Sequence, residues 1–165
     1  MSSIDYRVSN VGSLSVEAFR WVCEHVPKGG AVLELGSGEA TRELIRAGYS
    51  VTSIEHDAAW VARYGSRYIH APLRSGWYDV TKLGAVKDLE YDLIIVDGPP
   101  ACTENTKHRR LGFLCNLDLF DVSKPMLVDD CQRVGERRLL EALGAYLKRP
   151  YELHECGDGK VFGVV

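Results

Sequence analysis

No long apolar run, no excess of basic residues, no internal repeat and no low-complexity tract is present in this chain of 165 residues. The first absence leaves no stretch fit to cross a membrane as a helix. The opening, MSSIDYRVSN, lacks a basic-then-apolar secretory plan, so a cytoplasmic protein is expected. The formal net charge of −3 argues against broad electrostatic binding of nucleic acid, which wants a basic face. The five cysteines, Cys23, Cys102, Cys115, Cys131 and Cys156, are odd in number and show no C-x-x-C spacing. Disulfides and a zinc site are therefore not indicated, and most of these thiols are expected to be buried. At 45% hydrophobic and 26% charged, the composition is that of an ordinary globular protein. Its length suits one domain, 1–165, with 1–30 as a helical lead-in, rather than two.

What the chain does have is concentrated between Ala31 and Asp57. The apolar run Ala31-Val32-Leu33 enters an acidic, glycine-rich turn, Glu34-Leu35-Gly36-Ser37-Gly38. A short helical pattern follows, and a second apolar run, Val51 to Ile54, ends in Glu55. Strand, glycine turn, helix, strand and acid make a βαβ unit suited to a nucleoside-bearing cofactor. Gly36 and Gly38, without Cβ atoms, let a ligand approach the backbone closely. A helix starting near Glu39 aims its unpaired N–H groups at that ligand. Glu55, at the carboxyl end of the second strand, can accept hydrogen bonds from both ribose hydroxyls.

Two cofactors compete for such a unit. A dinucleotide fingerprint wants a third glycine, where this chain has Thr41. Glu34, two residues before the first glycine, would repel a pyrophosphate but suit the cationic amino group of S-adenosylmethionine (SAM). The pattern Glu34-x-Gly36-x-Gly38 resembles motif I of the class I SAM-dependent methyltransferases.

Along the rest of the chain, Val16, Phe19, Val22, Cys23 and Val26 predict an amphipathic helix over Ser15–His25. Thr41–Ala47 reads as the crossover helix, stopped by Gly48. Asp57 is expected to cap a helix with Ala58, Val61, Ala62 and Trp60 inward. Arg67–Ala71 reads as a strand. A Ser75-Gly76 turn, the pair Trp77-Tyr78 and a short helix around Thr81–Asp88 follow. Tyr91–Asp97 carries an unbroken aliphatic run, which suits a strand covered on both faces. Ala101–Arg110 reads as a mobile polar loop, and a helix is expected from about Arg110 to Phe120. Met126–Val128 is a further strand, and Val134–Leu147 a helix with a charged face. Tyr151–Glu155 and Val161–Val165 form a hairpin about Gly157-Asp158-Gly159. This alternation is that of an α/β protein, a three-layer α/β/α sandwich around a mostly parallel sheet.

Ligands of open α/β sheets bind outside the carboxyl ends of the strands. The chain places Gly36-Ser37-Gly38, Glu55-His56, His70-Ala71, Asp97-Gly98-Pro99-Pro100 and Asp129-Asp130 there. Three of these five ends carry carboxylates, more than a structural fold needs on one rim. His56 either meets an adenine or caps a following helix. Asp97 follows the most apolar strand, and the Pro99-Pro100 step makes the chain's exit rigid. It could touch the methionine part of the cofactor, hold a metal, or take a proton from the acceptor. Asp129-Asp130 offers hard oxygen ligands suited to Mg²⁺. Alternatively one of the pair caps the next helix while the other pairs with Arg133.

The whole ordered set is similar to small bacterial class I SAM-dependent methyltransferases. It comprises Glu34–Gly38, Ser53-Ile54-Glu55-His56-Asp57 with Trp60, Val96-Asp97-Gly98-Pro99-Pro100, Arg110-Leu111, and Val128-Asp129-Asp130 with Arg133 and Glu136. Two positions depart from the family pattern: Ala101 stands where a glycine commonly follows the prolines, and no Tyr-Pro follows Arg110. The resemblance implies a Rossmann-like, seven-stranded sheet whose last strand inserts antiparallel. It also implies an adenine contact at His70 and a SAM site of Glu34, Gly36, Ser37, Gly38, Thr41, Glu55, His56, His70 and Asp97. Asp97, Asp129 and Asp130 would orient or deprotonate the acceptor. Trp77, Tyr78 and the Ala101–Arg110 loop would shape its pocket, which the second subunit of a homodimer would complete. The acceptor implied is a small molecule or sugar, methylated at oxygen, with Mg²⁺ left open and nucleic acid disfavoured. Two other functions fit parts of the pattern: a non-catalytic cofactor-binding scaffold, and an NAD-dependent oxidoreductase.

Overall fold

The computed structural model describes residues 13–165. The first twelve residues of the expected helical lead-in, and the reading of the opening segment, lie outside them. Helix α1 (Val16–His25) starts at Ser15, whose hydroxyl accepts the Ala18 N–H at 3.0 Å, and buries Ala18, Phe19 and Val22. Strand β1 (Ala31–Leu35), helix α2 (Glu39–Arg46) and strand β2 (Ser50–Glu55) form the expected βαβ unit. Gly48, at φ +96°, turns the chain out of α2 in the left-handed region that a glycine adopts without strain. Strand β3 (Arg67–His70) pairs with β2, and a two-residue ladder, β4 (Leu73–Arg74) with β5 (Trp77–Tyr78), turns at Ser75-Gly76. Strands β6 (Leu93–Val96) and β7 (Met126–Val128), helix α3 (Val134–Leu147) and the hairpin β8 (Glu152–Glu155) with β9 (Val161–Val164) complete the order.

The main sheet has seven strands in the order β3-β2-β1-β6-β7-β9-β8. Strands β1, β2, β3, β6 and β7 run parallel, and β9 runs antiparallel to both of its neighbours. The mostly parallel sheet and its antiparallel C-terminal strand are therefore present. Alternation along the strands builds two cores. Val32, Leu93, Ile95 and Leu127 pack with α1 and α2 on one face, and Leu33, Ile94, Val96 and Val128 pack with α3 on the other. Every residue of β6 is buried, as an unbroken aliphatic strand between two helical layers must be. All five parallel strands point their carboxyl ends at the same edge.

Three expectations need correction. Residues 57–66 form turns rather than a helix, and the Asp57 carboxylate accepts the Ala59 N–H at 2.9 Å. Ala58 and Ala62 offer little apolar area to bury, and Ala62, at φ +61°, sits where a helix cannot continue. The segment Arg109–Leu119 is a 3-10 helix broken at Asn116; it buries Arg110, Phe113 and Leu117, and Leu111, Leu114 and Leu119 pack half-buried against the core. Of the five free cysteines, Cys131 and Cys156 are buried, Cys23 is half-buried, and Cys102 and Cys115 are exposed. Among the described residues no helix is long and apolar enough to cross a membrane.

Leu33 is fully buried at the centre of β1, between β2 and β6. Leu33→Ala should lower the free energy of unfolding by about 2–5 kcal/mol, through lost transfer energy and a residual cavity. Urea denaturation followed by circular dichroism measures it, and a loss well under about 1 kcal/mol would mean that this core collapses around the gap.

Candidate active site

The turn after β1 is held from below. Gly36 has φ +93°, and a Cβ there would stand 3.2 Å from the N and Cα of Gly98, the residue after Asp97. A Cβ on Gly98 would in turn stand 2.9 Å from the Gly36 backbone and collide with the Tyr78 hydroxyl. The two turns meet glycine to glycine because a side chain on either would part them. Strand pleating puts Glu34 on the same face as Val32, beneath the start of α2. Thr41 and Ser53 donate their hydroxyls to Glu34 Oε1 at 2.6 and 2.5 Å, and Thr41 Oγ1 accepts the Gly38 N–H at 2.9 Å. Glu34 and Thr41 are buried supports of the loop and do not line the cleft. Burial pushes the Glu34 carboxyl from an ordinary 4.5 up to about 7, against the lowering effect of the two hydroxyls, and the nearby Glu55 charge adds to the rise.

Glu55 closes the turn from the other side. Its Oε2 accepts the Ser37 N–H at 2.8 Å, and its Oε1 accepts the N–H groups of His56 and Asp57 at 2.7 and 2.8 Å. The carboxylate is only 3% exposed, yet it lines a cleft of about 720 Å³ together with Gly36, Ser37, Gly38, His56 and Asp97. Oε2 keeps unused acceptor capacity facing that cleft. His56 Nδ1 lies 2.8 Å from Oε1 without the alignment of a hydrogen bond, and the ring stands edge-on to Tyr78 at 6.4 Å. Trp60, freed by the turns of residues 57–66, also lines the cleft, with the Arg63 guanidinium over its ring at 4.2 Å. His70 is exposed and bonds the His56 carbonyl at 3.2 Å, off the cleft wall.

At the far side, Asp97, Asp129 and Asp130 bring carboxylate oxygens within 4.8 Å of one another. Asp97 and Asp130 line the cleft, whereas Asp129 is sealed beneath them. Arg110, itself 4% exposed, reaches into this group. Its Nη2 donates to the Asp97 carbonyl at 2.7 Å, to Asp97 Oδ1 at 3.1 Å and to Asp130 Oδ2 at 3.3 Å. Nη1 donates to the Asp129 carbonyl at 3.2 Å and Nε to the Pro99 carbonyl at 3.4 Å. Arg133 pairs with Asp130 at 2.9 Å, and Lys160 lies 3.6 Å from Asp129 and 3.8 Å from Asp130. Neither aspartate caps α3, whose N-cap is Arg133. Burial raises the Asp97 carboxyl well above the usual range; the Asp129 charge adds to this and Arg110 opposes it. Burial, with the charge of Asp130, raises Asp129 to about 6.

Trp77 and Tyr78, expected in the acceptor pocket, are buried behind the cleft floor instead. From the loop, Ala101, Cys102 and Arg110 do reach the wall. The Lys107 carbonyl sits where a Cβ on Gly135 would be, so the loop is seated against the start of α3. Arg110, Arg133, Lys160 and Trp60 are the residues that sequence reasoning undervalued. The signal for Arg110 was present: three acids collected at two strand ends need a buried cation.

No family model and no curated protein matches this sequence. Solved structures do match. A human methyltransferase 10 domain-containing protein aligns at TM-score 0.59 with 11% identity, over 90% of this chain and 79% of that one. The MycE methyltransferase of the mycinamycin biosynthetic pathway, in complex with Mg and S-adenosylhomocysteine (SAH), aligns at 0.54 with 15% identity. That alignment covers 89% of this chain but only 44% of MycE, so the chain spans under half of it. The 1,6-didemethyltoxoflavin-N1-methyltransferase of Burkholderia thailandensis, with 1,6-didemethyltoxoflavin and SAH bound, aligns at 0.53 with 15% identity over 90% and 76% of the two chains. At these identities the likeness establishes the fold, which is that of the class I SAM-dependent methyltransferases. The neighbours sharing it act on different substrates.

Glu34 generates a pH-dependent stability. Below about pH 4.5 it is protonated in folded and unfolded chains alike, and between 4.5 and 7 only the unfolded chain ionises, so stability falls as pH rises. Above 7 the loss is complete, about 3 kcal/mol in size. Glu34→Gln, the shape of the protonated acid, removes this window. Urea titrations from pH 4 to pH 8 should show equal stabilities at the acid end and a more stable variant at the alkaline end. A difference independent of pH would contradict the assignment.

Proposed function

We propose that this chain, which has the class I methyltransferase fold, binds SAM in the cleft and methylates a small-molecule or sugar acceptor, with oxygen the most suitable atom. The reading takes it as one catalytic domain. The observation that carries it is Glu55: a carboxylate at the end of β2, locked by three backbone N–H groups, with free acceptor capacity toward the glycine turn. The cleft's fit to SAM is also spatial. Nothing lies within 4 Å of where a Gly38 Cβ would be, and a volume of about 720 Å³ falls within the usual range of cofactor sites.

Bound SAM supplies a methyl group activated on sulfonium. Glu55 would hold the ribose, His56 and Trp60 would flank the adenine, and Gly36 and Ser37 would present backbone to the amino-acid end. Asp97 is the cleft-facing carboxylate of the acid cluster best placed to orient the acceptor and take its proton. A carboxyl raised well above its usual range is a stronger base once ionised, which favours this role. The walls around Ala101 and Cys102 would exclude water and select the acceptor's shape.

Calorimetric titration with SAM, SAH and NAD⁺ tests the reading. Both adenosyl ligands should bind and NAD⁺ should not. Glu55→Ala, with its fold checked by circular dichroism, should weaken adenosyl binding at least tenfold, the loss of one charge-assisted hydrogen bond or more. Absence of adenosyl binding would remove the methyltransferase reading, and NAD⁺ binding would redirect it to an oxidoreductase. In an acceptor screen Asp97→Asn should lower turnover about 10²–10⁴-fold. Adenosyl binding with full activity in Asp97→Asn would show that this carboxylate is not the base.

A further inference from the structure

We infer that the Asp97–Asp129–Asp130 cluster is not a divalent-metal centre: Arg110 and Lys160 are its resident counter-ions, and Arg110 is a positioning residue that aims Asp97 at the cleft. The inference rests on the methyltransferase reading for the use of the cleft, and on the chain's own side chains for the rest.

By donor chemistry the cluster looks made for Mg²⁺, since three carboxylates converge at two adjacent strand ends. The surroundings do not fit such an ion. Mg²⁺ needs about six oxygens near 2.0–2.1 Å and retains several waters. Here the space between Asp97 and Asp130 is taken by a guanidinium nitrogen, 3.1 Å from one carboxylate and 3.3 Å from the other. An ion drawn to the same oxygens would lie against that cation in a buried, poorly screened setting. The guanidinium is already surrounded by oxygen: the carbonyls of Asp97, Pro99 and Asp129, the carboxylates of Asp97 and Asp130, and Glu136 Oε1 at 3.6 Å.

Asp129 supports the same conclusion. Neither of its oxygens has a hydrogen-bond partner among the described residues, a feature that by itself would suit an ion. Yet Lys160 Nζ lies 3.6 Å away, and the same ammonium donates to the Ser13 carbonyl, which anchors it. Asp129 is fully buried and does not line the cleft, so an ion held there would lack the open, watered face that an acceptor must reach. Three cations, Arg110, Arg133 and Lys160, therefore face Asp97, Asp129, Asp130 and Glu136.

Function follows from this exchange of metal for arginine. Without a chelated ion the site gains nothing from a vicinal pair of acceptor oxygens. It suits an acceptor with one O–H or N–H within reach of Asp97, whose Oδ1 is held by Arg110 Nη2 rather than by a metal bond.

The test is a titration with Mn²⁺ alone, followed by loss of the free-ion electron paramagnetic resonance signal, on the full chain. Wild type should show no binding tighter than millimolar. Arg110→Met, by removing the guanidinium and leaving the carboxylates, should gain at least tenfold in Mn²⁺ affinity, lost again when Asp129→Asn is added. A residue that only supported the fold would produce no such gain. If Arg110→Met does not fold, Lys160→Met, which alters a half-buried hairpin side chain, should shift affinity in the same direction. Micromolar Mn²⁺ binding by wild type, abolished by Asp129→Asn, would overturn the inference. SAH calorimetry on the same samples separates the two readings. Metal binding with intact SAH binding sinks only this inference, while loss of SAH binding sinks the methyltransferase reading and leaves the ion result standing.

Discussion

One buried guanidinium, that of Arg110, joins the parts of this molecule that would perform its chemistry. It links the end of β6 through Asp97, the proline turn through the Pro99 carbonyl, the end of β7 through Asp129 and Asp130, and α3 through Glu136. Burying such a network is costly, because each charge must leave water, and packed apolar side chains could hold the same elements together as well. Its presence at the cleft, rather than in either core, is best understood through function. A carboxylate that must face an acceptor while staying partly buried needs a fixed cation behind it. Arg110 supplies that cation from the first turn of a 3-10 segment.

The opposite wall follows a related logic with hydrogen bonds in place of ion pairs. Two glutamates stand at successive strand ends with different fates. Glu34 is turned under α2 and satisfied by the hydroxyls of Thr41 and Ser53, so it fixes the glycine turn from below. Glu55 is satisfied by three backbone N–H groups and remains at the cleft, so it fixes the same turn from the side and still faces the cleft. Gly36 and Gly98 face one another between the two walls and let them close to backbone contact.

Much of the fold was legible because its periodic signals are strong. The helix Val134–Leu147, the buried run at β6, the βαβ unit and the terminal hairpin each combine regular apolar spacing with clear stop residues. At 57–66 the local pattern suggested helix, but the small Ala58 and Ala62 left too little area to bury; at 109–119 the segment does bury Phe113 and Leu117, and seating Arg110 beside the acids goes with a 3-10 course broken at Asn116. Trp60 and Arg110 serve the cleft from those two irregular segments. At the site, the choice of rim was legible from the carboxylates at the strand ends, and Glu55 and Asp97 stand on it. The direction of Glu34 was not legible, because the pleat sends alternate residues to opposite faces and the turn's glycines obscure the register. Nor was the partner of the acid cluster, because a sequence reveals where charges gather but not which cation reaches them.

The most direct test of the account is a crystal structure of the protein with SAH. The account predicts the ribose hydroxyls on Glu55, the homocysteine end over Gly36 and Ser37 pointing toward Asp97, and the Arg110 guanidinium still among the Asp97 and Asp130 oxygens. A ligand lying elsewhere, or one whose ribose leaves Glu55 untouched, would contradict it.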